Sequence, residues 1–141
     1  MMKRRILMCI ALIFLILTPI LADDLEKMCG VWVNPDYEGK GWYYAGKMII
    51  EPDGTWIDYS RITDTTHMFK GTFVINESWH DSEGNIWYKV TTTNIVHPFT
   101  NYSLRRVNNS GDILEYVWDR NKHPNEINPN HINYAIYYRQ K

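Results

Sequence analysis

Five histidines, two cysteines and a scatter of carboxylates are the side chains of this 141-residue chain that chemistry could use. His67, His80, His97, His123 and His131 fall mostly in turn-rich segments, and none stands in an H-x-H or H-E-x-x-H spacing. Zinc sites usually declare themselves by such local spacing, so neither a metal nor another cofactor is expected. His80-Asp81 has the composition of an oriented base, but neighbours on a strand point to opposite faces. Ser82 sits in a turn without the glycine-flanked elbow that activates a serine nucleophile. Asp58 and Glu115 would make a carboxylate pair if they faced each other across an opening; charged residues are rarely buried, so both are read as members of solvated faces. These parts make no catalytic constellation, and the expectation is a protein that is not an enzyme.

The elements around them begin with a leader. Lys3-Arg4-Arg5 precede an apolar run from Ile6 to Leu17, followed by Thr18, Pro19 and a small-residue site at Ala22 before Asp23-Asp24. That is the three-part pattern of a secretory signal peptide, with cleavage after Ala22. Residues 1–22 are therefore expected to direct export to the periplasm or the exterior, and residues 23–141 to form one domain. Uncleaved, the apolar run would serve as an anchor; cleaved, it leaves no membrane association. The mature part keeps all sixteen acidic residues and loses three of the fifteen basic ones, for a net charge of −4. Such a balance gives no basic surface for nucleic acid or an anionic membrane. Cys29 is the only thiol left after cleavage, so no intramolecular disulfide holds the domain, and the residue reads as a small buried hydrophobe.

Six Trp, ten Tyr and four Phe mark a β-rich chain. Beyond one helical turn at Asp24 to Met28, the chain reads as short β-branched and aromatic runs cut by turn signals. The expected strands are Val31 to Asn34, Tyr43 to Glu51, Thr55 to Arg61, Phe69 to Asn76, Ile86 to Thr91, Thr100 to Val107, Leu114 to Trp118 and Ile132 to Arg139. Pro52-Asp53-Gly54, Asp81 to Asn85 and Asn108 to Gly111 are turns, whereas Pro35 to Gly41, Thr63 to His67 and Asp119 to His131 are longer loops. Eight sequential strands in an open sheet would leave two edges, so the expectation is an all-β, eight-stranded, up-and-down antiparallel β-barrel.

Gly30-Val31-Trp32 opens the first of these strands, and Arg139 is the basic residue of the last. The pair resembles the first-strand G-x-W motif of the lipocalins and the wider calycin superfamily, in which a Trp at the closed end of a barrel is covered by an Arg or Lys from the final strand. The resemblance implies a lipocalin-like fold closed by Trp32 and Arg139, with any ligand at the opposite end. A guanidinium stacked on an indole, with donors left for the barrel floor, is a physical reason for such a pair. The chain is shorter than typical lipocalins, lacks their disulfides and has no second lipocalin motif. Its start also resembles that of avidins, with no biotin-contacting set to carry over.

An eight-stranded barrel is either filled by its own side chains or able to hold one small ligand. Tyr44, Met48, Phe73, Tyr88, Leu104, Tyr116, Trp118 and Ile136 are the expected inward residues and candidate lining of a cavity. The leading expectation is an exported protein that binds a small apolar or amphipathic molecule inside the barrel. The alternative is a filled barrel acting as an interaction module or inhibitor, with the loops Pro35 to Gly41 and Asp119 to His131 meeting a protein or glycan. A cavity of roughly 300 Å3 or more would favour the first.

Overall fold

Strands with one apolar and one polar face can bury the first only against something, and a sheet that curls onto itself supplies that partner and removes its edges. The computed structural model describes residues 22–34, 44–62, 65–95 and 98–141. The strands are β1 Gly30–Val33, β2 Tyr44–Ile50, β3 Thr55–Ile62, β4 Thr65–His80, β5 Ile86–Asn94, β6 Thr100–Val107, β7 Ile113–Asp119 and β8 Tyr134–Arg139. Each pairs antiparallel with its neighbour in sequence, and β8 returns to β1, giving a closed up-and-down barrel of eight strands. This architecture is the expected one and is compatible with a lipocalin-like fold. Most of the leader, the loop Pro35 to Gly41, His97 and the side chain of Tyr44 lie outside the described residues. Among the described residues no helix is long and apolar enough to cross a membrane.

The longest strand, β4, starts at Thr65 rather than Phe69 and runs to His80. Its polar beginning pairs with the end of β3 and its far half with β5, so Thr65 to His67 belong to a ladder although nothing in their polarity announces it. Up to Ile75 the strand alternates between faces, with Gly71 and Phe73 buried and Thr72 and Val74 exposed. An irregularity between Ile75 and Glu77 then shifts the phase, so that Ser78 faces Tyr88 across the ladder. Gly71 has to be glycine: a Cβ there would stand 1.9 Å from the Thr93 carbonyl oxygen of β5.

One end of the barrel is closed by a short helix, α1 (residues 22–28), which hands the chain to β1. Asp24 of α1 is buried and accepts hydrogen bonds from Ser78 Oγ at 2.7 Å and His80 Nε2 at 2.9 Å, while its backbone carbonyl accepts the Tyr88 hydroxyl at 2.7 Å. Met28 is fully buried, and its carbonyl accepts the Trp32 indole N–H at 2.9 Å. Above this floor Ile50, Phe73, Ile86, Val107, Leu114 and Tyr137 fill the lower half of the barrel solidly. The turns after β2, β4 and β6 surround the closed end, and the connections after β5 and β7 lie at the other.

Candidate functional site

Toward the open end the filling changes character. A cavity of about 100 Å3 lies between Met48 of β2, Trp56, Asp58 and Ser60 of β3, Phe69 of β4, Thr92 of β5, Asn101, Ser103 and Arg105 of β6, and Tyr116 and Trp118 of β7, with Phe99 and Arg120 from the adjoining connections. Period 2 delivers this set: Ser103 and Arg105 share a strand face, as do Asp58 and Ser60, and Tyr116 and Trp118. The wall is thus aromatic in area and polar at a few points, the composition of a site that orients a small molecule.

Arg105 is the centre of the polar part. It is only 5% exposed, its guanidinium carbon lies 5.4 Å from the Tyr116 ring centroid, and its Nε donates to Ser103 Oγ at 3.0 Å. Asp58 belongs to the same chamber but makes no ion pair or hydrogen bond with Arg105, and its Oδ1 is buried without a partner. Asn101 Oδ1 is buried and unpartnered in the same wall. Burial pushes the Asp58 carboxyl up to about 7, with the Arg105 charge opposing the shift. Burial lowers Arg105 from its ordinary value and raises the Tyr116 phenol to about 12, Asp58 adding to the latter. Tyr137 of β8 stacks on Tyr116, with ring centroids 5.7 Å apart and planes 11° from parallel.

The expected inward residues divide into four groups. Met48, Tyr116 and Trp118 line the chamber. Phe73 and Tyr88 belong to the solid core below it. Tyr44 is present in β2 by its backbone, and its side chain is outside the described residues. Leu104 and Ile136 lie on the outer face. The register pairs Arg105 with Tyr116 and Leu104 with Val117, so Leu104 cannot share a face with Tyr116. Leu104 and Val117 are nevertheless buried, because the segment after β7 folds back over them: His123 Nδ1–H donates to the Ser103 carbonyl at 3.1 Å, and Asn133 Nδ2 donates to the Trp118 carbonyl at 3.0 Å. Ile136 pairs with Glu115, and it is Ala135 and Tyr137 of β8 that join the core.

Asp58 and Glu115 also part company. Glu115 stands on the outer face, where its Oε2 accepts from Arg106 and its Oε1 accepts the Tyr134 hydroxyl at 2.9 Å, whereas Asp58 is inside and is corrected from a solvated to a chamber residue. Sequence reasoning missed Arg105, Ser103, Asn101 and Asp58 because it sought apolar residues for an interior. The usable signal was parity across the Asn108 to Gly111 turn, which fixes Arg105 opposite Tyr116.

At the closed end, Trp32 and Arg139 are direct cross-strand partners, with the guanidinium carbon 4.2 Å from the indole centroid. Arg139 donates to the carbonyls of Cys29 at 2.6 Å, Gly111 at 2.5 Å and Lys27, so one side chain ties α1, β1 and the β6–β7 turn together. Gly30 has φ +132°, and a Cβ on it would stand 2.6 Å from Arg139 Nη1. The glycine of Gly30-Val31-Trp32 therefore makes room for the arginine. Among the described residues no three His, Cys, Asp or Glu side chains gather as a metal set. Searches against protein-family models, curated proteins and solved structures find no match to this chain.

Proposed function

We propose that this protein is an exported, lipocalin-like barrel that binds one small amphipathic molecule in the chamber of its open half. The observation that carries the reading is a deeply buried Arg105 beside a buried, unpartnered Asp58 Oδ1 around a hollow. A barrel needed only for stability would fill this space with aliphatic side chains, since buried polar groups without partners are costly. The Trp32–Arg139 floor supports calycin kinship on physical grounds and carries no information about cargo.

Size sharpens the expectation. A chamber of about 100 Å3 is well under the roughly 300 Å3 at which drug-sized ligand pockets begin. Fatty-acid or haem-sized cargo is therefore disfavoured, and a molecule of few atoms suits the space. The solid lower half of the barrel favours the alternative of an interaction module, and the charged chamber favours ligand binding over it. Trp56 and Trp118 stand in the wall, so ligand entry should change intrinsic fluorescence. Titration with small organic acids, amides and alcohols, alongside a long-chain fatty acid, tests the reading: saturable quenching and a thermal shift with small compounds are expected. No response to any of them would remove the ligand-binding reading.

A further inference from the structure

A guanidinium offers five N–H donors, and Arg105 uses one. Its Nε is bonded to Ser103, but its two terminal nitrogens have no protein acceptor among the described residues. The residue is nonetheless 5% exposed and faces the chamber. We propose that the chamber takes a small organic carboxylate, its anionic end held by the terminal nitrogens of Arg105 and its carbon end against Trp56, Phe69 and Trp118. This inference rests on the reading that the chamber is a ligand site.

Three features select the carboxylate. A buried cation without a close counter-ion is unfavourable, and Asp58, the nearest candidate in the chamber, closes no ion pair with it. The planar fork presents parallel donors at the spacing of two carboxylate oxygens. The chamber, about 100 Å3, is small, which suits an anionic group on a short carbon tail rather than a long chain. A phosphate would bring a larger charge to a single deep fork and leave the aromatic walls with nothing to cover. Arg120, the other cation of the lining, belongs to an exposed residue and lies 5.2 Å from the Phe99 ring.

Asp58 gives the site a pH dependence. Its neighbours across the ladders, Met48 of β2 and Phe69 of β4, are uncharged. The titratable groups that act on it are Arg105 of β6, Tyr116 of β7 and Tyr137 of β8, and both phenols stay protonated near neutrality. Protonated Asp58 leaves Arg105 to the ligand, whereas ionised Asp58 repels a second anion. Carboxylate affinity should therefore fall as pH rises through about 7.

Calorimetric titration of the protein at pH 6 with butyrate and benzoate, with butyramide and benzamide, and with inorganic phosphate tests the assignment. The expected result is that each acid binds at least tenfold tighter than its amide, that Arg105→Gln abolishes this preference, and that the acids weaken at pH 8. Amides binding as well as acids would overturn the carboxylate inference while leaving a small-ligand chamber standing. Phosphate binding tighter than either acid would overturn it in favour of a different anion. If neither acids nor amides bind, both the inference and the reading beneath it fail. The comparison of acid with amide on the unaltered chain is decisive even if Arg105→Gln does not fold.

Discussion

Arg139 covers Trp32 from the adjacent strand, 4.2 Å from the indole centroid, and donates to the carbonyls of Lys27 in α1, Cys29 at the junction of α1 and β1, and Gly111 in the β6–β7 turn. β1 and β8 share only two aligned pairs, so this contact is a large part of what closes the barrel. Trp32→Ala should cost about 3–5 kcal/mol, as for a fully buried aromatic, and Arg139→Ala about 1–3 kcal/mol. Urea unfolding of both singles and the double should reveal coupling of at least ~0.5 kcal/mol. Gly30→Ala should resemble Arg139→Ala, because its Cβ displaces the guanidinium. Additive effects in the double mutant would contradict the pairing.

Asp58 sets the pH dependence of stability. Its carboxyl titrates at about 7 in the folded chain, whereas an ordinary aspartate in an unfolded chain titrates near ~3.9. Between those values the folded state holds a proton that the unfolded state has released, so its contribution is full below about 4 and lost as pH rises through about 7. Unfolding midpoints should decline across that window, and Asp58→Asn should flatten the decline and stabilise the protein at pH 8. Parallel profiles for the two proteins would show that Asp58 titrates elsewhere.

Much of the framework was legible in the chain, and the failures have a common cause. Ile86, Tyr88 and Val90 alternate with Trp87 and Lys89 as a half-wet sheet must, and β5 shows that burial pattern. Glycine-containing turns at Gly54, Gly84 and Gly111 adopt the positive φ that makes glycine the suitable residue. The chamber was less legible because hydrophobicity was used to choose the inward face. Asn101, Ser103 and Arg105 give β6 a largely polar inner face, while Leu104 is buried from outside by a segment that a strand pattern does not reveal. The phase shift at Ile75/Glu77 likewise depends on the neighbouring strand and leaves no local signature, whereas that at Ala45/Lys47 falls on Gly46, the kind of mid-strand glycine that marks a bulge.

Cys29 should be a poor nucleophile. Burial, and then the charge of Glu51, push its thiol up to about 11, so little thiolate exists near neutrality. Alkylation by iodoacetamide at pH 8 should be far slower in the folded protein than in urea. Equal rates in the two states would contradict this burial.

The floor helix depends on Asp24. Replacing it with Ala removes the acceptor for Ser78 and His80, and should cost about 1–3 kcal/mol through the polar groups left behind. Tyr88→Phe loses the bond to the Asp24 carbonyl and should cost about 1 kcal/mol. Limited proteolysis should then cut near α1 in Asp24→Ala while the barrel survives. An unchanged digestion pattern together with unchanged stability would mean that the Asp24 side chain does not hold the helix, which Met28, Tyr88 and Arg139 would then anchor without it.

The central claim, a ligand chamber in the open half above a structural floor, is tested most directly by the indole N–H signals in a nitrogen-resolved NMR spectrum during titration with butyrate. Trp56 and Trp118 line the chamber, Trp32 is sealed beneath Arg139, and Trp79 and Trp87 stack together 6.0 Å apart and away from the lining. Saturable shifts at Trp56 and Trp118 with Trp32, Trp79 and Trp87 unmoved are predicted. Shifts confined to Trp79 and Trp87, or none at saturating butyrate, would contradict it.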